Sequence, residues 1–351
     1  MRRIWYLFPV ILALSLGLLF SFWVWEEPKA VAYDARILYL DTTRVQQQIQ
    51  DLDQELNRFR GDMEIVHDFI AEQAEYYEKQ RQQLQELVKN TQDYTASSND
   101  IYEEKIVALL GDPVGFSSGA YSKIMVFDFY KIDYRGYVAK VSVKKNRAIE
   151  VAMKSDGMRE KTSDAMERLG GVLAINGGGF YSAKSGDTTL YLPLGNTVIQ
   201  SELAHDFVES YKDLTFVGFQ EDGDLVGGVF HTEEELLATQ AYAGITFVPQ
   251  LLENGEKLPI PSQWASAKQP RTIVGEYPNK DLLFIVIDGR QSDWSSGVTL
   301  EEAQDVLIQL GIKKAYNLDG GGSTTMVFNG KVINKPSDGV VRPVVTNIVI
   351  R

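Results

Sequence analysis

The sequence predicts an α+β chain. A mixed β-sheet domain with a few packed helices is preceded by a transmembrane helix and a long coiled-coil-like helix. Three observations carry this expectation. Residues 4–25 hold no charged side chain. From Val45 the apolar residues recur at alternating spacings of four and three. From about Tyr121, short apolar or alternating runs are separated by glycine turns. The organisation expected is an anchor at 1–27, a stalk at 42–90, a linker with a short helix at 91–120, and one domain at 121–351.

The anchor reading rests on length and flanks. Twenty-two residues, Ile4 to Trp25, would span about 33 Å as a helix, enough for a bilayer core. Arg2 and Arg3 precede the run, and Glu26 and Glu27 follow it. This charge bias places the N-terminus in the cytoplasm and the C-terminal domain outside. Trp5, Tyr6, Trp23 and Trp25 stand where interfacial aromatics belong. Ala30-Val31-Ala32 offers the rival reading of a cleaved signal peptide, but the apolar run is long for one.

In the stalk, one register reads Val45, Leu52, Phe59, Val66, Gln73, Gln80 and Leu87. The other reads Ile49, Leu56, Met63, Ile70, Tyr77 and Leu84. A heptad of this kind predicts a homodimer through the coiled coil, holding the domain off the membrane. Gly61 and the two glutamines weaken the seam, and a helix packed on its own domain is the alternative.

Composition narrows the partners. Of 351 residues 44% are hydrophobic, enough for a sizeable core. The net charge of −13 argues against nucleic acid. The chain has no cysteine, and its three histidines, His67, His205 and His231, lack zinc-ligand spacing.

Within the domain, Ile101 to Leu110 predicts a short helix, and Gly115 to Gly119 a linker. Ile124–Phe129 and Val138–Val143 alternate as strands. Ser163 to Leu169 is a helix ended by Gly170-Gly171 and followed by a strand, Val172 to Ile175. Leu282 to Ile287 is wholly apolar, as in a buried central strand. A helix follows, with Thr299 and Glu302 as a capping box and Gly311 past its end. Lys314 to Leu318 is the next strand.

Two strands joined by a helix should run parallel. Asp288 and Asp319 would then share one sheet edge, on neighbouring strands. Asn176, before Gly177-Gly178-Gly179, ends a third strand in the same manner. Arg271 to Gly275 forms a hairpin with Leu282 to Ile287, bringing Arg271 near Asp288. A cation, two carboxylates and glycine-rich amides make an anion pocket. The plainer reading of Arg271 is a salt bridge to Asp288. Near the C-terminus, Asn329-Gly330 marks a tight hairpin.

These motifs resemble the phosphodiester glycosidase family. The residues concerned are Asn176-Gly177-Gly178-Gly179-Phe180, Pro249 to Gly255, Arg271 to Gly275, Asp288-Gly289-Arg290, Asn317 to Thr325, and Asn334 to Gly339 with Arg342-Pro343. The likeness runs from about Ser122 to Arg351, with departures at Tyr181, which fills the place of the family's second aromatic, in the absence of cysteine, and in the segment Gly186 to Val229, which follows no pattern of the family. It implies hydrolysis of a sugar-1-phosphodiester, releasing a sugar and a phosphomonoester. With the anchor, the material acted on would be a phosphopolysaccharide or teichoic-acid-like material at the cell surface.

The resemblance implies Asp319 or Asp288 as general base or nucleophile, with Arg271 as the third catalytic residue. Arg271, Arg290 and the amides of Gly320, Gly321 and Gly322 would bind phosphate. Further substrate contacts fall on Asn176, Gly177, Gly178, Thr272, Ser323, Thr324, Asp338 and Arg342. Asn176, Asp288 and Asp319 could instead hold Ca²⁺ or Mg²⁺. Phe180, Tyr181 and Trp294 are candidates for a sugar platform. The alternatives are a noncatalytic carbohydrate-binding or exopolysaccharide-assembly protein, and a scaffold in which the coiled coil matters most.

Overall fold

The structure, a computed structural model, describes residues 46–61, 63, 67, 71, 79 and 98–351 except 212–213. The chain divides into two compact units, Met1–Tyr77 and Glu78–Arg351. In the first unit, residues 46–61 are helical, and Ile49, Leu52, Leu56 and Phe59 are exposed along it. The expected anchor and much of the expected stalk lie outside the described residues. Among the described residues, no helix is long and apolar enough to cross a membrane.

The second unit is rich in sheet, with a few helices. Its largest sheet has eight strands. Their order is Gly115–Ser118, Ser122–Tyr130, Arg135–Val143, Leu282–Ile287, Arg271–Glu276, Lys314–Leu318, Gln250–Glu253 and Glu256–Lys257. Neighbours in it are antiparallel throughout. Gly115–Ser118 is therefore an edge strand, not the expected linker. The helix before it, Ser98–Leu110, buries Tyr102 and Ile106 in the core.

The central strand Leu282–Ile287 is buried on both faces. Leu282, Phe284 and Val286 point into one core, while Leu283, Ile285 and Ile287 point into another. This explains why its polar alternation vanishes. The first core lies between the large sheet and two five-stranded sheets. The second lies under Ser98–Leu110 and the helix Leu300–Gln309. The capping box of that helix is formed: Thr299 Oγ1 accepts from Glu302 N at 3.1 Å, and Thr299 N donates to Glu302 Oε2 at 2.8 Å.

One five-stranded sheet runs Lys331–Val332, Met326–Phe328, Leu173–Asn176, Thr346–Ile350, Ile149–Met153, with helix Thr162–Leu169 on its outer face. The other runs Leu225–Gly228, Thr215–Phe219, Ala243–Phe247, Val198–Ile199, Glu202–Leu203. The expected turn at Asn329-Gly330 has both residues at positive φ, 48° and 79°. These angles are what a two-residue hairpin of this hand demands.

Gly136 shows how tightly the large sheet is packed. A Cβ at this position would collide with the Val286 carbonyl oxygen on the neighbouring strand. Gly136→Ala is therefore expected to destabilise the domain by about 2 kcal/mol, read as a lower denaturant midpoint.

Candidate active site

The site grows from the register of three antiparallel strands. Arg271 pairs with Ile287, and Thr272 pairs with Leu318. Extending this register by one residue sets Arg271 opposite Asp319 and next to the strand that ends at Asp288. The Leu282–Ile287 and Lys314–Leu318 strands do run in the same direction. They are not neighbours, because Arg271–Glu276 lies between them. A hairpin bond formed before the crossover fills the slot that a direct parallel partner would need.

Leu173–Asn176 belongs to a different sheet, yet its end meets Asp319. Asp319 N donates to Gly177 O at 3.1 Å, and Asn176 Nδ2 donates to Asp319 O at 2.5 Å. Asn176 Oδ1 accepts from Thr272 Oγ1 at 2.7 Å and from Thr325 N at 3.0 Å. Asn176 and Thr272 are fully buried. Their polar atoms are spent fixing the 319–325 loop, so they stand behind the site and do not face a substrate. Gly177 and Gly178 serve close packing as well. A Cβ on Gly177 would lie 2.5 Å from Thr346 Oγ1, and one on Gly178 would lie 2.5 Å from Thr246 O. Gly177 lets the chain approach the neighbouring strand of its own sheet, and Gly178 lets it approach a strand of the other five-stranded sheet.

Asp319 is half-buried at the mouth of this arrangement. Burial pushes its carboxyl up to about 6, although Ser323, Arg342 and the Gly320 amide favour the charged form. Ser323 Oγ makes no well-formed hydrogen bond, but lies close enough to Asp319 to act on it. Thr324 Oγ1 is likewise buried without a hydrogen-bond partner. The Gly321 amide is committed to Pro270 O at 3.0 Å, and the Gly320 amide serves Asp319, so these two do not offer themselves to phosphate.

Two arginines cover the glycine loop. A Cβ on Gly321 would lie 3.1 Å from Arg290 Nη2, and one on Gly322 would collide with Arg342 and Asp338. Arg290 is exposed, with Nε held by Gln269 Oε1 at 2.6 Å, and no carboxylate among the described residues pairs with it. Arg342 is tied to Asp338 Oδ2 through Nε at 3.0 Å and Nη2 at 2.6 Å.

Arg271 is buried. Its Nε donates to Val298 O at 3.2 Å and its Nη2 to Ala267 O at 2.8 Å. Burial first, and the Arg290 charge second, push its guanidinium down to about 10. The alternative reading of Arg271, a salt bridge to Asp288, is not what the structure shows: no carboxylate among the described residues pairs with Arg271.

Asp288 has a different environment. Trp294 Nε1 donates to Oδ2 at 2.9 Å, Asn334 Nδ2 to Oδ1 at 2.9 Å, and Lys335 N to the two oxygens at 3.1 and 3.0 Å. It is almost fully buried, and burial raises its pKa against these bonds. Asp288 thus pins the 334–335 loop beside the site. Trp294 is drawn into the same cluster, with Arg135 at 4.5 Å and Lys335 at 5.1 Å over its ring.

The proposed cation ligands Asn176, Asp288 and Asp319 do not form an open donor set. The Asn176 amide is used up by the loop, and both Asp288 oxygens are occupied. Among the described residues, no cluster of three His, Asp or Glu side chains could hold a metal.

Sequence reasoning missed Thr346, whose Oγ1 accepts from Gly178 N at 3.0 Å. It missed the role of Asn334, which donates to both Asp288 and Thr324 O. Their strand and loop positions carry no local mark of these long-range bonds.

The bovine N-acetylglucosamine-1-phosphodiester alpha-N-acetylglucosaminidase is 29% identical over 200 residues, covering 51% of this chain and 36% of that protein. The human enzyme of the same name is 28% identical with the same coverage. The matched region thus spans about a third of these relatives' length. The catalytic domain of the zebrafish enzyme, described as auto-inhibited by its pro-peptide, has the same fold. It aligns with a TM-score of 0.54 and 23% identity over 68% of this chain and 86% of that one. Residues 170–351, which contain Asn176, Arg271, Asp288, the Asp319 loop and Arg342, match the phosphodiester glycosidase family. The chain belongs to that family.

Proposed function

We propose that the chain hydrolyses a sugar-1-phosphodiester at the anomeric carbon. One observation carries the reading: a half-buried Asp319 with an elevated pKa lies beside a glycine loop covered by Arg290 and Arg342. In a sugar-1-phosphodiester the leaving group is a phosphomonoester, which takes the C–O bonding pair without strong acid assistance. Arg290, whose guanidinium has no carboxylate partner among the described residues, would receive the growing negative charge, with Arg342 beside it and the buried Arg271 charge behind. Asp319, as carboxylate, would act at the sugar carbon as base toward water or as nucleophile. Asp288 is left to position the loop, because its oxygens are already engaged.

The names of the similar enzymes support N-acetylglucosamine-1-phosphodiesters as the first substrates to test. Incubation of the purified protein with such diesters should release free N-acetylglucosamine. Binding without release across several sugar-1-phosphodiesters would favour a noncatalytic carbohydrate-binding protein instead. Arg290→Gln is expected to raise KM about tenfold through loss of one charge-assisted phosphate contact. An unchanged KM would move phosphate recognition elsewhere.

The same proposal keeps residues 4–25 as a membrane anchor, the domain outside the cell, and a dimer through the stalk. Cell fractionation and the mass of the detergent-solubilised protein test these points.

A further inference from the structure

The hairpin Phe180–Ser185 with Thr188–Pro193 grows directly out of Gly177-Gly178-Gly179. The segment 157–159 runs beside it: Tyr191 N donates to Gly157 O at 2.9 Å. Arg159 places its guanidinium 4.0 Å from the centre of the Tyr191 ring and 6.0 Å from that of Phe180. The adjacent carboxylate, Glu160, is already held by Arg168 through bonds of 2.9 and 2.7 Å. No carboxylate among the described residues pairs with Arg159, which is partly exposed.

Two backbone links tie this shelf to the segments around the site, one that follows Arg342 and one that enters the Asp319 loop. Glu160 and Val344 exchange hydrogen bonds of 2.8 and 2.9 Å, two residues beyond Arg342. On the other side, Gly177 O accepts from Asp319 N at 3.1 Å, three residues before Phe180. A guanidinium resting on aromatic rings keeps its N–H fork in position while the rings shield its face. Such a fork matches phosphate oxygens, and being fixed in advance it loses little freedom on binding.

We propose that Arg159, on its Tyr191–Phe180 shelf, is a second anion subsite that takes a phosphate carried by the substrate beyond the one being cleaved. The inference rests on the sugar-1-phosphodiester reading and specifies it. The favoured substrates are those with phosphate on both sides of the sugar or on the leaving portion, as in a chain of phosphate-linked units, over diesters with a neutral leaving portion.

The test has two arms. In the first, calorimetry compares α,ω-alkanediol bisphosphates of increasing length with the matching monophosphates. The wild-type protein should bind the best bisphosphate about tenfold more tightly, and Arg159→Gln should erase the advantage. In the second, Arg159→Gln should raise KM about tenfold for a diester with a phosphorylated leaving portion while leaving KM unchanged for its neutral counterpart. Far-UV circular dichroism checks that the variant is folded, and Arg159→Lys should restore part of the bisphosphate advantage.

Equal binding of mono- and bisphosphates by the wild type, or an advantage that survives Arg159→Gln, would overturn the proposal. Failure of the wild type to cleave any sugar-1-phosphodiester would sink the hydrolytic reading, while the calorimetric comparison would still decide for or against Arg159.

Discussion

Asp319→Asn is expected to lower kcat by about a thousandfold while leaving the fold intact, as loss of a positioned base or nucleophile does. The loss should have a distinct pH signature. Asp319 titrates at about 6 in the folded protein. If its carboxylate does the work, wild-type activity should climb as pH rises through 6 and then level off. The residual activity of Asp319→Asn should lack that limb. A variant that retains more than a tenth of wild-type kcat, or keeps the limb, would remove Asp319 from the chemistry.

The same group makes a stability prediction of opposite sign. The pKa is raised in the fold, so the native state holds this proton more tightly than the unfolded chain. Stability from this group is therefore present at low pH and is lost as pH rises from about 4 to about 6. Asparagine removes the charge that burial disfavours. At neutral pH, Asp319→Asn should be more stable than wild type by on the order of 2 kcal/mol, a figure reduced for the exposed edge of the carboxylate. Denaturant midpoints at acidic and neutral pH measure the difference. A buried carboxylate that costs stability is expected where function rather than stability sets the environment.

Asn176→Ala should have the largest structural effect. Its amide donates one partly buried bond to Asp319 O and accepts two in the interior, from Thr272 and Thr325. Alanine leaves the Thr272 hydroxyl and the Thr325 amide without partners and opens a void. The expected cost is about 4 kcal/mol, with activity falling because the 319–325 loop loses its brace. A denaturant midpoint close to wild type would show that this network does not hold the loop.

The sheet edge was legible in the sequence, and the reason lies in particular residues. The unbroken Leu282–Ile287 run, the Thr299–Glu302 cap and the Arg271 hairpin are local signals, and local physics governs each. They sufficed to put Asp288, Asp319 and Arg271 at one end of one sheet. The roles within the site were less legible. Asn176 and Asp319 both precede glycines at strand ends, yet one is a buried brace and the other half-exposed at the loop. Only the partners, distant in sequence, distinguish them. Gly177 and Gly178 read like ligand-facing glycines because close approach to a ligand and close approach to another strand demand the same missing Cβ. Arg159 carried no signal, since its meaning comes from a tyrosine on a separate hairpin.

The brace around Asp319 is stitched from far-apart pieces of chain. Asn176 meets Thr325 across 149 residues, and Gly178 meets Thr346 across 168. No contiguous fragment bearing the glycine loop alone can therefore assemble a working centre. Catalytic competence becomes a reporter of global order, and it should emerge late in refolding, after the slow non-local pairings have closed. Recovered turnover should then lag the recovered far-UV signal, without an early active intermediate.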